Sequence, residues 1–120
     1  MGNLYRHHKL LLDASDGLTE TTEGNAWKLR PSSSDAQPDH LHTFAIVFEP
    51  GESEGTVVPS VQTSWDGEHW LDVATGTTKG AKTMKASVLG RFIRGSVTVE
   101  GEALYAGTIR LISDAPFRLV

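Results

Sequence analysis

Histidines are the side chains of this sequence best suited to binding a metal ion. There are five of them: His7, His8, His40, His42 and His69. His40 and His42 are separated by one residue, so in a β-strand both imidazoles would lie on one face. Metal sites built on such a pair add a glutamate within a few residues, but the next glutamate here is Glu49, on the opposite strand parity. We therefore predict no metal site and no cofactor, and histidines that lie in solvent at strand edges.

Motifs of phosphate binding and of calcium binding are incomplete in this chain. Residues 76–83 read GTTKGAKT and lack the glycine directly before lysine that a phosphate-binding loop requires. The acidic stretches around Asp16-Gly17 and Glu23-Gly24 do not have the ligand spacing of an EF-hand. Carboxylates in such loops are usually solvated. We therefore predict that the protein is not an enzyme.

Two tryptophans, Trp65 and Trp70, flank the strongest turn signal in the chain. Residues 57–73 read VVPSVQTSWDGEHWLDV, which is two strand-like runs joined by Asp66-Gly67. Tryptophans at such a turn either pack against the body of the protein or contact a partner. We predict Trp65 and Trp70 as partner-contact residues.

The register of this hairpin has two solutions, which differ in the residues that face inward. A two-residue turn would pair Thr63 with Trp70. A three-residue loop with Gly67 in the left-handed conformation would instead place four residues on one face: Val61, Thr63, Leu71 and Val73. We favour the three-residue loop because it separates the apolar members of this set from their polar neighbours.

The remaining elements read as short strands joined by polar turns. Residues 42–48 carry apolar side chains on both faces, which predicts a central core strand. Further strands are predicted at residues 10–12, 26–30 and 83–89, with a second hairpin over 91–112 that turns at Glu100-Gly101. Residues 13–25 read as an exposed connection, with a helix at 14–22 as a weaker option. Pro59 indicates an edge or a bulge in its strand.

The predicted fold is all-β, an antiparallel β-sandwich or jelly-roll-like small barrel of about seven to eight short strands. A chain of 120 residues suits a single domain, residues 1–120, in which residues 10–120 form the β body. Residues 1–9 combine apolar and basic side chains without a clean period, so we predict an N-terminal arm that becomes ordered on a partner. The predicted contact residues of the arm are Leu4, Tyr5, Arg6, His7 and His8.

Composition argues against several classes of protein. There is no cysteine, so neither a disulfide framework nor a thiolate metal site is available. The formal net charge of −4 argues against nucleic acid as the main partner. No apolar run reaches the roughly 18 to 20 residues that span a bilayer, and the N-terminal MGNLYRHHK lacks the apolar centre of a signal peptide. We therefore predict no nucleic-acid partner and no membrane partner.

Four sequence segments follow one another along residues 10–112: LLDASDGLTETTEGNAWKLR, FAIVFEPG, VQTSWDGEHWLDVATG and RFIRGSVTVEG. In this order they resemble small β-sandwich proteins of tailed bacteriophages, namely capsid decoration (cement) proteins and related virion accessory proteins. The resemblance implies a non-enzymatic structural protein that is made in the host cytoplasm, binds the outside of the capsid and stabilises it. It also implies a homo-oligomer, with a trimer favoured, and the major capsid protein or another virion protein as partner.

A second hypothesis is a carbohydrate-binding or adhesion module associated with a tail or fibre. In that case Trp65, Trp70 or Tyr105 would form an aromatic platform for a sugar ring. These two hypotheses describe binding rather than catalysis, and they differ in the chemistry of the partner. A third and less favoured hypothesis is a small jelly-roll metalloenzyme that uses His40 and His42.

Overall fold

The structure is a computed structural model, and it describes residues 7–30, 42–88, 92–113 and 118–119. These residues form nine strands: β1 (His7–Leu18), β2 (Thr22–Glu23), β3 (Trp27–Arg30), β4 (His42–Pro50), β5 (Glu54–Ser64), β6 (Leu71–Thr75), β7 (Lys82–Val88), β8 (Phe92–Ser113) and β9 (Arg118–Leu119). All pairings between them are antiparallel. The prediction of an all-β fold is confirmed. No helix in the described part of the chain is long and apolar enough to cross a membrane.

Strand β8 is the element that joins the whole fold, because its two halves belong to two facing layers, which we call the two sheets. Residues 92–100 pair with β5 on one side and with β2 and β3 on the other. Residues 105–113 pair with β1, and residues 107–112 also pair with β4. The two halves face each other, since a Cβ built on Gly95 would lie 3.5 Å from Cδ1 of Ile109. The strand order is therefore β1–β8–β4–β7 around one half of β8 and β9–β3–β8–β5–β6 around the other, where β2 also pairs with β8; β8 joins the two parts into one nine-stranded sheet.

The prediction of a second hairpin over residues 91–112 is wrong. The chain passes Glu100-Gly101 as one continuous strand, with Gly101 at a φ of +67°. The pairing with β5 is irregular at this point, where Thr56 is opposite Glu100 but Glu54 is opposite Leu104. The glycine thus marks a bend rather than a turn, because each half of β8 finds its partners in other strands.

The core lies between the two sheets and is built from alternate residues of the strands. It contains Leu11, Leu12, Ala14, Ile46, Phe48, Val57, Val61, Ala74, Ile93, Val97, Tyr105, Ile109 and Leu111. Strand β4 pairs on both sides, with β7 and β8, and both Ile46 and Phe48 are fully buried. The prediction of a central core strand over residues 42–48 is confirmed.

Strand β1 includes residues for which two other features were predicted: the end of the N-terminal arm and the start of an exposed connection. Residues 7–9 pair with residues 111–113, so the predicted arm over residues 1–9 extends three residues too far. The strand continues to Leu18, and neither a connection at residue 13 nor a helix at 14–22 forms. A bulge at Leu11 explains how LLL fits the sheet, because the extra residue lets both Leu11 and Leu12 face the core.

The start of β1 is also held by a contact to the other sheet. The ammonium group of Lys9 lies over the ring of Trp27 in β3, 3.5 Å from its centroid. Both side chains are half-buried. This cation–π contact links the two sheets where β1 begins.

We expect two N-terminal deletions to differ sharply in stability. Deleting residues 2–9 removes three paired residues and the Lys9–Trp27 contact, and should lower the free energy of unfolding by about 1 to 3 kcal/mol. Deleting residues 2–6 should change it by no more than about 0.5 kcal/mol. Urea unfolding followed by tryptophan fluorescence measures both values. Equal losses in the two variants would show that residues 7–9 add no stability, which would contradict their pairing in β1.

The β5–β6 hairpin has a longer loop than either predicted register. Thr63 pairs with Leu71, as the favoured register requires, and Gly67 has the predicted positive φ, +82°. Six residues, 65–70, separate the strands, so loops of two and of three residues are both wrong. A bulge at Val73 then places Val61 opposite Ala74, and Leu71 is 69% exposed rather than buried.

Pro59 lies in the part of β5 that has one partner strand. It pairs with Val97 of β8, whereas pairing with β6 begins only at Ser60. On the side of β6 its carbonyl accepts a hydrogen bond from the N–H of Gly76 (2.8 Å). Pro59 therefore lies where the β5–β6 pairing ends, but β5 itself is an interior strand between β6 and β8, so the edge prediction is not confirmed.

Candidate partner-contact site

The loop at residues 65–70 is held in one shape by Ser64 and Asp66. Ser64 Oγ donates to Asp66 Oδ1 (3.0 Å) and accepts from the backbone N–H groups of Asp66 (3.3 Å) and Gly67 (2.8 Å). Asp66 Oδ1 also accepts from the N–H groups of Glu68 and His69, both at 2.8 Å. Four consecutive backbone N–H groups of the loop thus have side-chain acceptors, so the loop is ordered before any partner binds.

The carboxylate of Asp66 is the centre of this network. Its pKa lies far below the ordinary value of 3.8, mainly because the backbone N–H of His69 donates to it, with further lowering by the His69 side chain and the Glu68 N–H. Asp66 Oδ2 lies 2.6 Å from Nδ1 of His69, and both side chains are exposed. The carboxylate therefore remains ionised well into the acid range, and the loop keeps its hydrogen bonds there.

We expect the loop to resist acid. Because folding lowers the pKa of Asp66, the stabilisation from its carboxylate is present above pH 3.8 and is lost only as the pH falls through the lower folded value. The side-chain carboxyl carbon resonance of Asp66, followed by NMR, should therefore show its protonation step only below pH 3.8. In Asp66→Asn this transition should disappear. A transition above pH 3.8 that is lost in the variant would contradict the role of Asp66.

The second end of the loop is fixed by Arg94 of β8. Its guanidinium group lies over the ring of Trp70, 4.0 Å from the centroid, and its side chain is only 16% exposed. Arg94 Nε donates to Gln62 Oε1 (2.9 Å), and Gln62 Nε2 donates to Asp72 Oδ1 (2.9 Å). Arg94 Nη2 also reaches Glu23 Oε2 at 3.4 Å. We call this set, Glu23, Arg94, Gln62 and Asp72, the polar row; it crosses β2, β8, β5 and β6.

The two predicted tryptophans therefore have different surroundings. Trp65 begins the loop and is 47% exposed, whereas Trp70 ends it and is half-buried beneath Arg94. Leu71, the most exposed of the large apolar residues that the structure describes, follows directly. We call the exposed set Trp65, Glu68, His69 and Leu71 the hairpin tip. It combines two apolar side chains with two polar ones on a loop of fixed shape.

The predicted arm residues are only partly described. Leu4, Tyr5 and Arg6 lie outside the described residues, and His7 and His8 are described only as backbone of β1. A series of contacts and strand pairings nevertheless connects the start of β1 to the hairpin. Lys9 lies on Trp27, which pairs with Ile93, and Ile93 pairs with Thr63 near the hairpin tip.

One cluster of possible metal ligands occurs among the described residues. Donor atoms of Asp66, Glu68 and His69 lie within 4.8 Å of one another, and all three side chains are exposed. Both carboxylate oxygens of Asp66 already interact within the loop, with N–H and hydroxyl donors and with the His69 ring. The cluster therefore accounts for the shape of the loop. Of the pair considered for a metal, His40 lies outside the described residues and His42 begins β4.

A GxSxG pattern at residues 51–55, GESEG, has no catalytic geometry in this fold. In α/β-hydrolases this pattern places the serine between a strand and a helix. Here Ser53 lies in the connection between strands β4 and β5. Its Oγ accepts from the N–H of Ala106 (3.1 Å) and donates to the carbonyl of the same residue (3.3 Å). Ser53 thus fastens the connection to β8.

An open cavity of about 460 Å³ lies beside this connection. Its lining residues include Asp16, Glu49 and Glu52 together with residues 104, 106 and 107 of β8. Glu49 accepts a hydrogen bond from Arg110 Nε (2.9 Å) and another from Thr108 Oγ1 (3.2 Å). This carboxylate is therefore part of a surface ion pair on the sheet.

No protein-family model, no curated protein and no solved structure matches this chain. The function is accordingly inferred from the fold, from the hairpin tip and from the resemblance of the four sequence segments to phage capsid decoration proteins.

Proposed function

We propose that the chain is a non-enzymatic structural protein of a bacteriophage, which binds the outside of the capsid and stabilises it. The observation that carries the proposal is the exposed hairpin tip on a loop that is already ordered by its own hydrogen bonds. A loop with a fixed shape loses little conformational entropy when it binds, so a small contact can still supply useful affinity.

The composition of the hairpin tip suits contact with a protein surface. Trp65 and Leu71 supply apolar area, and tryptophan is enriched among the residues that dominate binding energy at interfaces. Glu68 and His69 supply a polar rim beside them. Charged side chains elsewhere on the body already have partners: Arg94 bonds within the polar row, and Arg110 bonds to Glu49. In this proposal the body therefore positions the tip, and the tip makes the contact.

The N-terminal residues provide a second contact in this proposal. Leu4 and Tyr5 can be buried on a partner, and Arg6 can pair with its carboxylates. A capsid repeats the same binding surface many times, so several weak contacts can combine into firm attachment if copies of the chain are linked. Residues 1–6 and the hairpin tip would then act together.

A sugar platform made of Trp65, Trp70 or Tyr105 is the less favoured alternative, and Tyr105 is fully buried in the core. Stacking on a sugar needs an open face of the ring, and Arg94 lies over one face of Trp70. The ring also takes part in fixing the loop. Trp65 would then have to hold a sugar without its neighbour, whereas a single anchoring tryptophan is sufficient in a protein–protein contact.

The test uses particles that lack the chain. The gene is deleted from its source genome, and purified protein is added back to the resulting particles and sedimented with them. We expect saturable binding and a weakening of at least about 10-fold in Trp65→Ala. Val58→Ala is the matched control, because Val58 is also a large exposed apolar residue (38%) but lies away from the tip on β5.

Two results would count against the proposal. The first is protein that stays in the supernatant at every concentration. The second is binding that Trp65→Ala and Val58→Ala weaken equally. If the protein instead binds a glycan array through Trp65 and does not bind the particles, the carbohydrate alternative replaces the proposal.

A further inference from the structure

Two aspartates of the chain are followed directly by a glycine, Asp16 in β1 and Asp66 in the hairpin loop. An Asp-Gly pair can rearrange without an enzyme, because glycine has no side chain that shields its amide nitrogen. This nitrogen attacks the side-chain carboxyl carbon, so that a C–N bond forms and a C–O bond breaks with the loss of water. A second water molecule then cleaves the succinimide ring at the main-chain carbonyl, which leaves isoaspartate, with the backbone running through the side chain.

Two conditions control the rate of this reaction. The carboxyl group must be protonated, because its oxygen leaves as water far more readily than as an oxide ion. The glycine nitrogen must also reach the carboxyl carbon, which requires rotation of the backbone and of the aspartate side chain. Hydrogen bonds that fix either group therefore slow the reaction by the free energy needed to break them.

The hydrogen bonds of the hairpin loop oppose both conditions at Asp66. The N–H of Gly67 donates to Ser64 Oγ (2.8 Å), which holds the attacking nitrogen in place. The carboxylate accepts from Ser64 Oγ (3.0 Å) and from the N–H groups of Glu68 and His69, both at 2.8 Å. These bonds, above all the one from the His69 N–H, keep the pKa of Asp66 far below its ordinary value, so the protonated form is scarce. Asp66 is therefore held in an unreactive state although its side chain is exposed.

Asp16 lies in an irregular part of β1 and lacks such bonds. The register of β1 against β8 shifts between Ala14 and Leu18, where four steps along β1 match two steps along β8. Residues 15–17 form this bulge, and the Asp16 side chain is exposed. In the described part of the chain no group forms a hydrogen bond or an ion pair with its carboxylate. Rotation of this side chain therefore breaks no hydrogen bond, and the bulge already interrupts the regular strand pairing.

We propose that Asp16-Gly17 is a site of spontaneous isoaspartate formation in the folded protein, and that the loop hydrogen bonds of Ser64 protect Asp66-Gly67 from the same reaction. Asp16 lines the open cavity beside the β4–β5 connection, so water for the second step is at hand. The product has one more backbone atom within the bulge. Bulges accommodate extra residues in a strand, so the sheet can keep its pairing on both sides of Asp16.

This inference does not depend on the proposed attachment to a capsid. The hydrogen bonds of the hairpin loop gain a second effect, because they order the hairpin tip and also keep its backbone chemically unchanged over time. Covalent ageing would begin in β1, which pairs with the second half of β8, whereas the hairpin tip lies beside the first half.

The experiment follows both Asp-Gly pairs in one sample of the full chain during incubation in mildly acidic buffer. Cleavage after lysine and arginine separates the pairs, because Lys28 lies between them. Isoaspartate in each peptide is identified by mass spectrometry with electron-transfer fragmentation. We expect it to form at least about 10-fold faster at Asp16 than at Asp66, since several hydrogen bonds must break before Asp66 can react. In urea, where the loop is unfolded, the two rates should become similar.

A pair of serine variants tests the cause of the protection. Ser64→Ala should raise the rate at Asp66 about 10-fold and leave the rate at Asp16 unchanged. Ser60→Ala is the matched control, because Ser60 is also a buried serine of β5 but lies outside the loop. Circular dichroism checks that both variants retain the β fold, and the comparison of the two pairs in the unmodified protein requires neither variant.

Four results would overturn the inference. The first is a folded chain that forms no isoaspartate at Asp16 under conditions in which the unfolded chain does. The second is equal rates at Asp16 and Asp66 in the folded chain. The third is a difference between the two pairs that persists in urea, because it would then come from the local sequence. The fourth is the same rate at Asp66 in folded Ser64→Ala and Ser60→Ala.

Discussion

Phe48→Ala is expected to lower the free energy of unfolding by about 3 to 5 kcal/mol. Phe48 is fully buried in the central strand β4, and its ring packs against the backbone of Gly76, where an added Cβ would lie 2.5 Å from the ring. Removing the ring therefore costs its transfer free energy and leaves a cavity between the two sheets. Urea unfolding followed by tryptophan fluorescence measures the change.

Val58→Ala is the control for this loss. Val58 is 38% exposed on the outer side of β5, and its truncation should cost about 0.5 kcal/mol or less. A loss below about 1 kcal/mol for Phe48→Ala would mean that β4 is not the centre of the core.

Gly107→Ala is expected to cost about 2 to 5 kcal/mol, the sum of a backbone and a packing effect. Gly107 has a φ of +144°, which side-chain-bearing residues rarely adopt. A Cβ would lie 2.5 Å from the carbonyl oxygen of Glu49 and 2.8 Å from Cα of Pro50. Both neighbours are backbone atoms of β4, so relief requires the two strands to separate.

Gly101→Ala isolates the backbone contribution. Gly101 also has a positive φ, +67°, but a Cβ there would meet no atom within 4 Å. We expect a loss of about 1 to 2 kcal/mol, clearly smaller than at Gly107. Thermal unfolding of both variants provides the comparison. If the two losses are equal, the close approach of β4 and β8 at Gly107 does not add to the loss of stability in Gly107→Ala.

Local patterns in the sequence are sufficient to predict those elements whose signals are unambiguous. Apolar residues on both faces of residues 42–48 predict the central position of β4, since only a covered strand tolerates them. Asp66-Gly67 predicts the position of the first hairpin and the left-handed glycine within it. These features depend on residues close together in the chain.

Features that depend on distant partners could not be predicted in the same way. Glu100-Gly101 has the composition of a turn, and only the strands that pair with each half of β8 make it a bend. The length of the first loop depends on Ser64 and Asp66, whose side chains replace strand pairing with hydrogen bonds inside the loop. A signal for this exists in the sequence, because serine and aspartate two residues apart commonly form such turns.

The polar row is the part of the candidate site that no local pattern indicates. Arg94 and Gln62 are 32 residues apart, and Arg94 and Glu23 are 71 residues apart. Their contact requires β2, β5 and β8 to be neighbours in one register. Polar alternation along β5 shows only that Gln62 faces away from Val61.

The most direct test of the central claim, that the chain is a structural component of a capsid surface, is its stoichiometry on purified particles. Particles from the source of the gene are purified by density gradient, and peptides of this chain and of the shell protein are quantified by mass spectrometry. We predict a fixed ratio of the two proteins that is unchanged by a second gradient. A chain that is absent from the particles, or whose amount falls with each purification, would contradict the claim.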